Sequence, residues 1–239
     1  MRYLVVNADD FGYSRSVNRG VIEAHERGIV TSTSLMVDRP GAAEAGDYAS
    51  SRPELGLGLH VELKRWRVSR MPRRGAVLRA SALARAASVQ LRRQLERFRA
   101  VAGRDPSHLD AHYNRHLSAD FRPQFQALAD ELSIPLRRVD PRIAFRGEFY
   151  GQDGKGGPDP EAITPEALLR ILESIHEPIT DLACHPGFVD DLDDWYRTER
   201  EQEVRALCDE RVRGAVSRLG LELCTFSAAL RLSAEDASR

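Results

Sequence analysis

At 239 residues and 42% hydrophobic content, the chain is long enough for one large domain, and α/β barrels of this size commonly do not split. A net charge of -1 gives no overall pull toward nucleic acid, and no apolar run reaches the length of a membrane span or a signal-peptide core. The three scattered cysteines, Cys184, Cys208 and Cys224, exclude a disulfide framework or a cysteine-type zinc site and fit a reducing, cytoplasmic location.

The first element, RYLVVN, reads as a strand that leaves through Asp9-Asp10 into Phe11-Gly12. Adjacent carboxylates repel and aspartate is a poor strand former, so the pair is either a solvated turn or part of a site that offsets the repulsion. Val17 to Arg27 follows as a helix, with Val17, Val21 and Ala24 on one face and Gly28 as its stop. VTSTSLMV is the second strand, and an alanine-rich helix runs from about Gly41 to Ser51. GLGLHVEL is the third strand. Ser81 to Val101 carries a helical stripe of Leu83, Ala87, Leu91, Leu95 and Phe98.

SHLDAH is the fourth strand, Pro123 to Leu132 a helix, and LRRV the fifth strand. GQDGKGGPDP, residues 151–160, reads as a flexible loop. Thr164-Pro165 opens a helix with a capping residue and proline at its first position. DLACHPG is a further strand and turn, Thr198 to Leu207 a helix, and LELCTF the last strand. This β-then-α alternation with continuous apolar strands predicts a parallel sheet, as a barrel or a doubly wound sheet, in one domain spanning residues 1–239.

Charge is concentrated in one place. Between Lys64 and Arg99 there are twelve Lys or Arg against one acid, Glu96. Such a block is suited to an anionic ligand or RNA, or to pairing with acids elsewhere in the fold, but arginine-rich helix faces are more often simply solvated.

In parallel α/β folds, chemistry collects at the C-terminal ends of the strands. Four predicted strands carry metal-ligand or acid–base residues there: Asp9-Asp10, His60, the run Asp110-Ala111-His112 with His116 beyond it, and His185 before Pro-Gly. Each has a bland reading as turn chemistry, a hydrogen-bonded core histidine or a surface pair. Five of the seven histidines nevertheless lie at or near strand C-termini, counting His108. By alternation His108, Asp110 and His112 share a face, and a carboxylate beside a histidine is the usual way to fix a ligand's tautomer. A carboxylate with two imidazoles would leave open positions on one divalent ion, Mg or Zn, and hydrolysis is the natural reaction class. One aspartate of the pair would hold the ion and the other act on water.

The runs VNADDFGYSRSVNRGVIEAHERGIVTSTSLMV, GLGLHVEL, PSHLDAHYNRH and LACHPG resemble the signatures of the YdjC-like carbohydrate deacetylases, which include chito-oligosaccharide and hopanoid deacetylases. The resemblance covers about residues 1 to 63, 106 to 140 and 164 to 227. It implies an incomplete or distorted (β/α) barrel that removes an N-acetyl group from a sugar with one divalent metal, and a homodimer. By resemblance Asp10, His60 and His112 are the metal ligands, Asp9 the general base and His185 the general acid. His116 would line the site, and Asp110 and Arg138 would support the ligands or meet the substrate. The chain departs from the family pattern at Asn114, where a histidine is usual, and in the basic run that begins at Lys64. That run suggests an anionic acetamido sugar as substrate. Two other readings stay open: a barrel phosphoesterase, and a non-catalytic RNA- or anion-binding protein.

Overall fold

The computed structural model describes residues 1–63, 76–192 and 195–238. Seven parallel strands form one sheet: β1 (Arg2–Phe11), β2 (Ser32–Leu35), β3 (Gly56–Val61), β4 (Leu109–Ala111), β5 (Ala144–Arg146), β6 (Ile179–Cys184) and β7 (Leu221–Leu223). Six follow the order β4-β3-β2-β1-β6-β5, and β7 pairs with β1 off that path. A strand has two edges. β6 takes one edge of β1 from Tyr3 to Ala8, so β7, paired at Arg2 to Leu4, takes the other, which β2 occupies from Asn7 onward. The result is a half-barrel surrounded by helices, the incomplete (β/α) barrel expected from the sequence. β3 and β6 are buried along their whole length, as continuous apolar strands covered on both faces should be.

The helices are α1 (Arg15–Glu26), α2 (Ala42–Ser50), α3 (Ala76–Ala102), α4 (Arg122–Leu132), α5 (Pro165–Glu173), α6 (Thr198–Leu207), α7 (Glu210–Arg218) and α8 (Phe226–Ala237). Their starts are chemically specified. Ser14 accepts from the Val17 amide to cap α1, and Thr164 does the same for Ala167 ahead of Pro165 in α5. Val17, Val21 and Ala24 are buried as the α1 stripe requires, and on α3 the residues Ala87, Leu91, Leu95 and Phe98 face the core. α7 and α8 were not foreseen; α8 begins at Phe226, inside the run read as the last strand. Among the described residues, no helix is long and apolar enough to cross a membrane.

Two expectations change. The run LRRV is not the fifth strand: Leu136 makes a single bridge to Leu109, and the chain then turns, with the Val139 and Asp140 amides both donating to the Leu136 carbonyl. Arg138 is left-handed there, at φ 61°, a conformation that ends extended pairing. The strand next to β6 is Ala144–Arg146 instead. SHLDAH likewise keeps only Leu109–Ala111 as strand, because His112 starts a helical turn, residues 112–117, in which Tyr113 and Asn114 have φ of 55° and 53°. Residues 151–160 form a turn closed by a Gln152–Pro158 bridge, with the Asp153 carboxylate accepting from the Lys155 and Gly157 amides.

Of the basic run, residues 64–75 lie outside the described residues. Four of its arginines on α3 meet acids: Arg92 pairs with Glu131, Arg93 and Arg97 with Asp38, and Arg99 with Asp105.

Candidate active site

The C-terminal ends of β1, β3, β4 and β6 converge on a cavity of about 450 Å³. Asp9 and Asp10 both line it, although neighbouring residues of a strand point to opposite faces. The backbone resolves this. Pairing between β1 and β2 shifts register between Ala8 and Phe11, and Asp10 adopts φ 69°. A non-glycine residue in that region carries strain, and such strain concentrates where a site over-determines the geometry.

The repulsion between the two carboxylates is offset by two buried arginines from distant segments. Arg137 donates to Asp9 Oδ1 at 2.7 Å, and Arg200 of α6 donates to Asp10 Oδ2 at 2.7 Å. Asn7 adds a second donor to Asp9 Oδ1 at 2.8 Å. Each aspartate therefore has one oxygen clamped and one directed elsewhere. Asp9 Oδ2 faces His185 Nε2 at 3.8 Å. Asp10 Oδ1 is buried, has no hydrogen-bond partner among the described residues, and stands 3.5 Å from His60 Nε2 and 3.8 Å from His112 Nε2.

His60 is oriented by its cross-strand neighbour. His60 and Asp110 are register partners, and the His60 Nδ1–H donates to Asp110 Oδ1 at 2.7 Å, which turns the Nε2 lone pair toward Asp10. Asp110 thus serves His60 rather than His112. Its other oxygen accepts from Ser34 Oγ at 3.0 Å and from Arg137. His108 reaches the same Ser34 hydroxyl, and burial pushes its pKa down to about 3, so it is a neutral core histidine. His116 is buried behind the site: Nδ1 accepts from the Ala111 amide and Nε2 meets the Arg137 carbonyl. It does not reach the cavity wall; it fixes the two segments that carry His112 and Arg137. Arg138 does line the cavity, with its guanidinium 4.3 Å from the centre of the Phe145 ring.

Ligand-type atoms of Asp9, His60 and Asp110 lie within 4.8 Å of one another, one grouping able to hold a metal ion. Both Asp110 oxygens are already engaged, however, while Asp10 Oδ1 has no hydrogen-bond partner among the described residues and faces two imidazoles. Donors about 2.0–2.2 Å from a common ion stand roughly 3–3.5 Å apart, close to the Asp10–His60 separation. The open Asp10 oxygen thus offers a second grouping, Asp10 with His60 and His112. Among the described residues, Asp9, Asp10, Asp110 and Asp181 share two guanidiniums, Arg137 and Arg200, with His60, His112 and His185 as their imidazole neighbours. Burial by itself would lift the Asp10 pKa, but Arg200, His60 and His112 hold it well below the usual carboxylate range. Burial would likewise lower His60, yet Asp110 and Asp10 raise it well above the usual imidazole range. The lowered Asp10 reports the guanidinium and imidazoles already beside it, and the raised His60 reports the carboxylates on either side of it. His112, with its pKa lowered by burial, favours the neutral form a ligand needs.

His185 follows β6 in a loop pressed against α1, where a Cβ on Gly20 would lie 2.4 Å from the Gly187 Cα. Glu203 of α6, fully buried, accepts from the His185 amide and from the Tyr196 hydroxyl, which itself accepts from the Gly151 amide at 2.8 Å. One carboxylate thus ties together three segments of the cavity wall. Burial raises the pKa of Glu203 to about 8 and lowers that of His185.

Sequence reasoning missed Arg137, Arg200, Glu203 and Asp181. Signals existed for three. Arg200, Glu203, Val204 and Leu207 are buried together on α6 at helical spacing, which places two charges in an apolar stripe. Asp181 shares a strand face with Ala183 and leads toward His185. Nothing local distinguishes Arg137 from Arg138.

The fold and the site define a parallel half-barrel with a carboxylate–imidazole centre at its strand ends. A sequence model of the YdjC-like protein family matches residues 3–218, and the chain belongs to that family. It is 32% identical to a carbohydrate deacetylase of Geobacillus stearothermophilus over 94% of this chain and 97% of that protein. It is also 32% identical to a chitooligosaccharide deacetylase of Klebsiella pneumoniae strain 342, over 94% and 98% respectively. A solved protein of Enterococcus faecalis V583, whose proposed role is cellobiose-phosphate cleavage, superposes with a TM-score of 0.76 at 26% identity, covering 95% of this chain and 98% of that one. A family 4 carbohydrate esterase of Streptomyces lividans shares the fold, with a TM-score of 0.54 at 12% identity, over 94% and 91%.

Proposed function

We propose that the protein is a metal-dependent hydrolase that removes the N-acetyl group from an acetamido sugar. The observation that carries this reading is the divided role of the aspartate pair. Asp10 Oδ1 is buried without a hydrogen-bond partner among the described residues and faces two imidazoles, while Asp9 Oδ2 faces His185. The curated relatives named as carbohydrate deacetylases support the reaction class.

Asp10, His60 and His112 would hold the divalent ion, which when bound polarises a carbonyl and acidifies water. Asp9 takes a proton from the attacking water at Oδ2, the oxygen left open when Asn7 and Arg137 hold Oδ1. His185 delivers a proton to the sugar nitrogen as the C–N bond breaks, giving acetate and a free amine. Because burial lowers its pKa, its protonated ring is a stronger acid than an exposed imidazolium. Arg138, which lines the cavity and forms no ion pair with a carboxylate among the described residues, suits a sugar that bears an anionic group.

The test is acetate release from neutral and anionic N-acetylated sugars, with chelator and with zinc, magnesium, manganese or cobalt restored. Chelation should abolish release and one metal should restore it. Asp9→Asn should lower kcat by about 10²–10⁴-fold with metal content unchanged. No acetate from any acetamido sugar by the metal-loaded protein would overturn the reading.

A further inference from the structure

His108 takes no part in the chemistry above, yet the sheet makes room for it. The residue is fully buried, two positions before Asp110 and on the same face of that segment. Its imidazole packs on Phe226, with ring centroids 4.3 Å apart, and against Gly58 of β3. A Cβ on Gly58 would lie 2.2 Å from His108 Nε2. The Gly58 backbone is not left-handed, so this glycine serves space rather than conformation. Both ring nitrogens are engaged: Nδ1 meets Ser107 Oγ at 3.0 Å, and Nε2 meets Ser34 Oγ at 3.0 Å.

The direction of each hydrogen bond follows from counting protons. Asp110 accepts from His60 Nδ1–H at Oδ1, and from Arg137 and Ser34 at Oδ2. A serine hydroxyl has one proton and two lone pairs. With its proton committed to Asp110, the Ser34 oxygen accepts from its other neighbours. Asn7 donates to it at 3.0 Å, from the same side-chain amide that donates to Asp9 Oδ1. His108 must then donate through Nε2–H, which leaves Nδ1 to accept from the Ser107 hydroxyl. The opposite tautomer would draw the Ser34 proton to Nε2 and strip Asp110 of that donor. Asn7, Ser34, His108 and Asp110 are all at most 2% exposed, so bulk water does not replace a lost partner.

We propose that His108 is a positioning residue for the metal centre. Held as its Nε2–H tautomer, it fixes the Ser34 hydroxyl, which orients the Asp110 carboxylate behind His60. Through Asn7 the same hydroxyl also steadies the held oxygen of Asp9. The proposal rests on the reading of His60 as a metal ligand and is independent of which sugar is the substrate.

The test has two parts. Ring ¹⁵N shifts of His108 in the unmodified, metal-free protein should report a neutral ring protonated at Nε2. Protonation at Nδ1 would overturn the proposal, and this reading stands even if a variant fails to fold. Zinc affinity is then measured by competition with a chromogenic chelator. His108→Phe keeps a ring beside Gly58 and Phe226 but removes the donor, and should weaken zinc binding about tenfold, the low end for residues that act through a ligand's partner. His108→Gln, which returns an N–H near the Nε2 position, should recover most of that loss, as a purely packing role would not. Ser34→Ala should weaken binding at least as much, and adding His108→Phe to it should change nothing further, because the line is already cut. Unchanged affinity in His108→Phe, or full additivity of the two substitutions, would overturn the positioning role while leaving the metal centre intact. A wild-type protein that binds no divalent ion would overturn the metal reading itself, and the positioning role with it.

Discussion

Arginine meets carboxylate in two regions of this molecule, with opposite consequences. On α3, Arg92, Arg93, Arg97 and Arg99 reach Glu131, Asp38 and Asp105 across the surface. At the strand ends, Arg137 and Arg200 are buried and hold Asp9, Asp110, Asp181 and Asp10. Water and salt screen the first set, so those pairs keep the helix face soluble and contribute little else. The second set has no water to replace a lost partner. There each guanidinium decides which oxygen of a carboxylate is free to do chemistry. Of the described arginines, the four on α3 therefore bear less on the site than Arg137 and Arg200 do.

The largest expected effect breaks the buried set at its centre. Arg137→Ala leaves three carboxylates facing one another without their shared cation, and should cost about 3–5 kcal/mol of stability in urea denaturation. Restoring the midpoint by adding a divalent ion would show how much of that loss is electrostatic. Next is Asp110→Ala, which frees the His60 ring from its Nδ1 acceptor. Metal affinity, read by competition with a chromogenic chelator, should fall about 10–100-fold while the chain remains folded. Unchanged affinity would mean that His60 is oriented by something other than Asp110.

A smaller effect concerns Glu203. With its pKa raised by burial from the ordinary carboxylate range to about 8, the folded protein binds a proton that the unfolded chain releases at lower pH. Stability from this group is present in full in acid and declines as pH rises from about 4.5 to about 8. Glu203→Gln keeps the neutral shape, so its urea midpoint should fall less than that of the wild type between pH 5 and pH 8. Parallel pH profiles would contradict the shift. At the exposed end of the comparison, Arg92→Ala should leave both the urea midpoint and the KM for sugar at wild-type values. A raised KM would bring α3 into substrate binding after all.

Much of the fold was legible because its cause is local. Val17, Val21 and Ala24 repeat at helical spacing, Thr164-Pro165 announces a helix start, and apolar runs such as GLGLHV fit strands buried on both faces. LRRV failed for a tertiary reason. Its residues suit a strand, but after Leu136 bridges β4 the chain turns and Arg137 is drawn inward by Asp9, Asp110 and Asp181. The histidines at strand ends were visible because β/α topology brings those ends together. Their individual tasks were not visible. His108 and His116, alike in sequence to the others, are buried in structural hydrogen bonds, while His112 and His185 line the cavity.

The sequence by itself determined the β-then-α order, the parallel sheet that follows from it, and the set of aspartates and histidines at the strand ends, since each depends on near neighbours and on a simple topological rule. Only the tertiary structure decided which oxygen of each aspartate is held and which is open. That choice is made by Arg137 and Arg200, 128 and 190 positions away along the chain from Asp9 and Asp10, and by a left-handed turn at Asp10 that no local pattern requires.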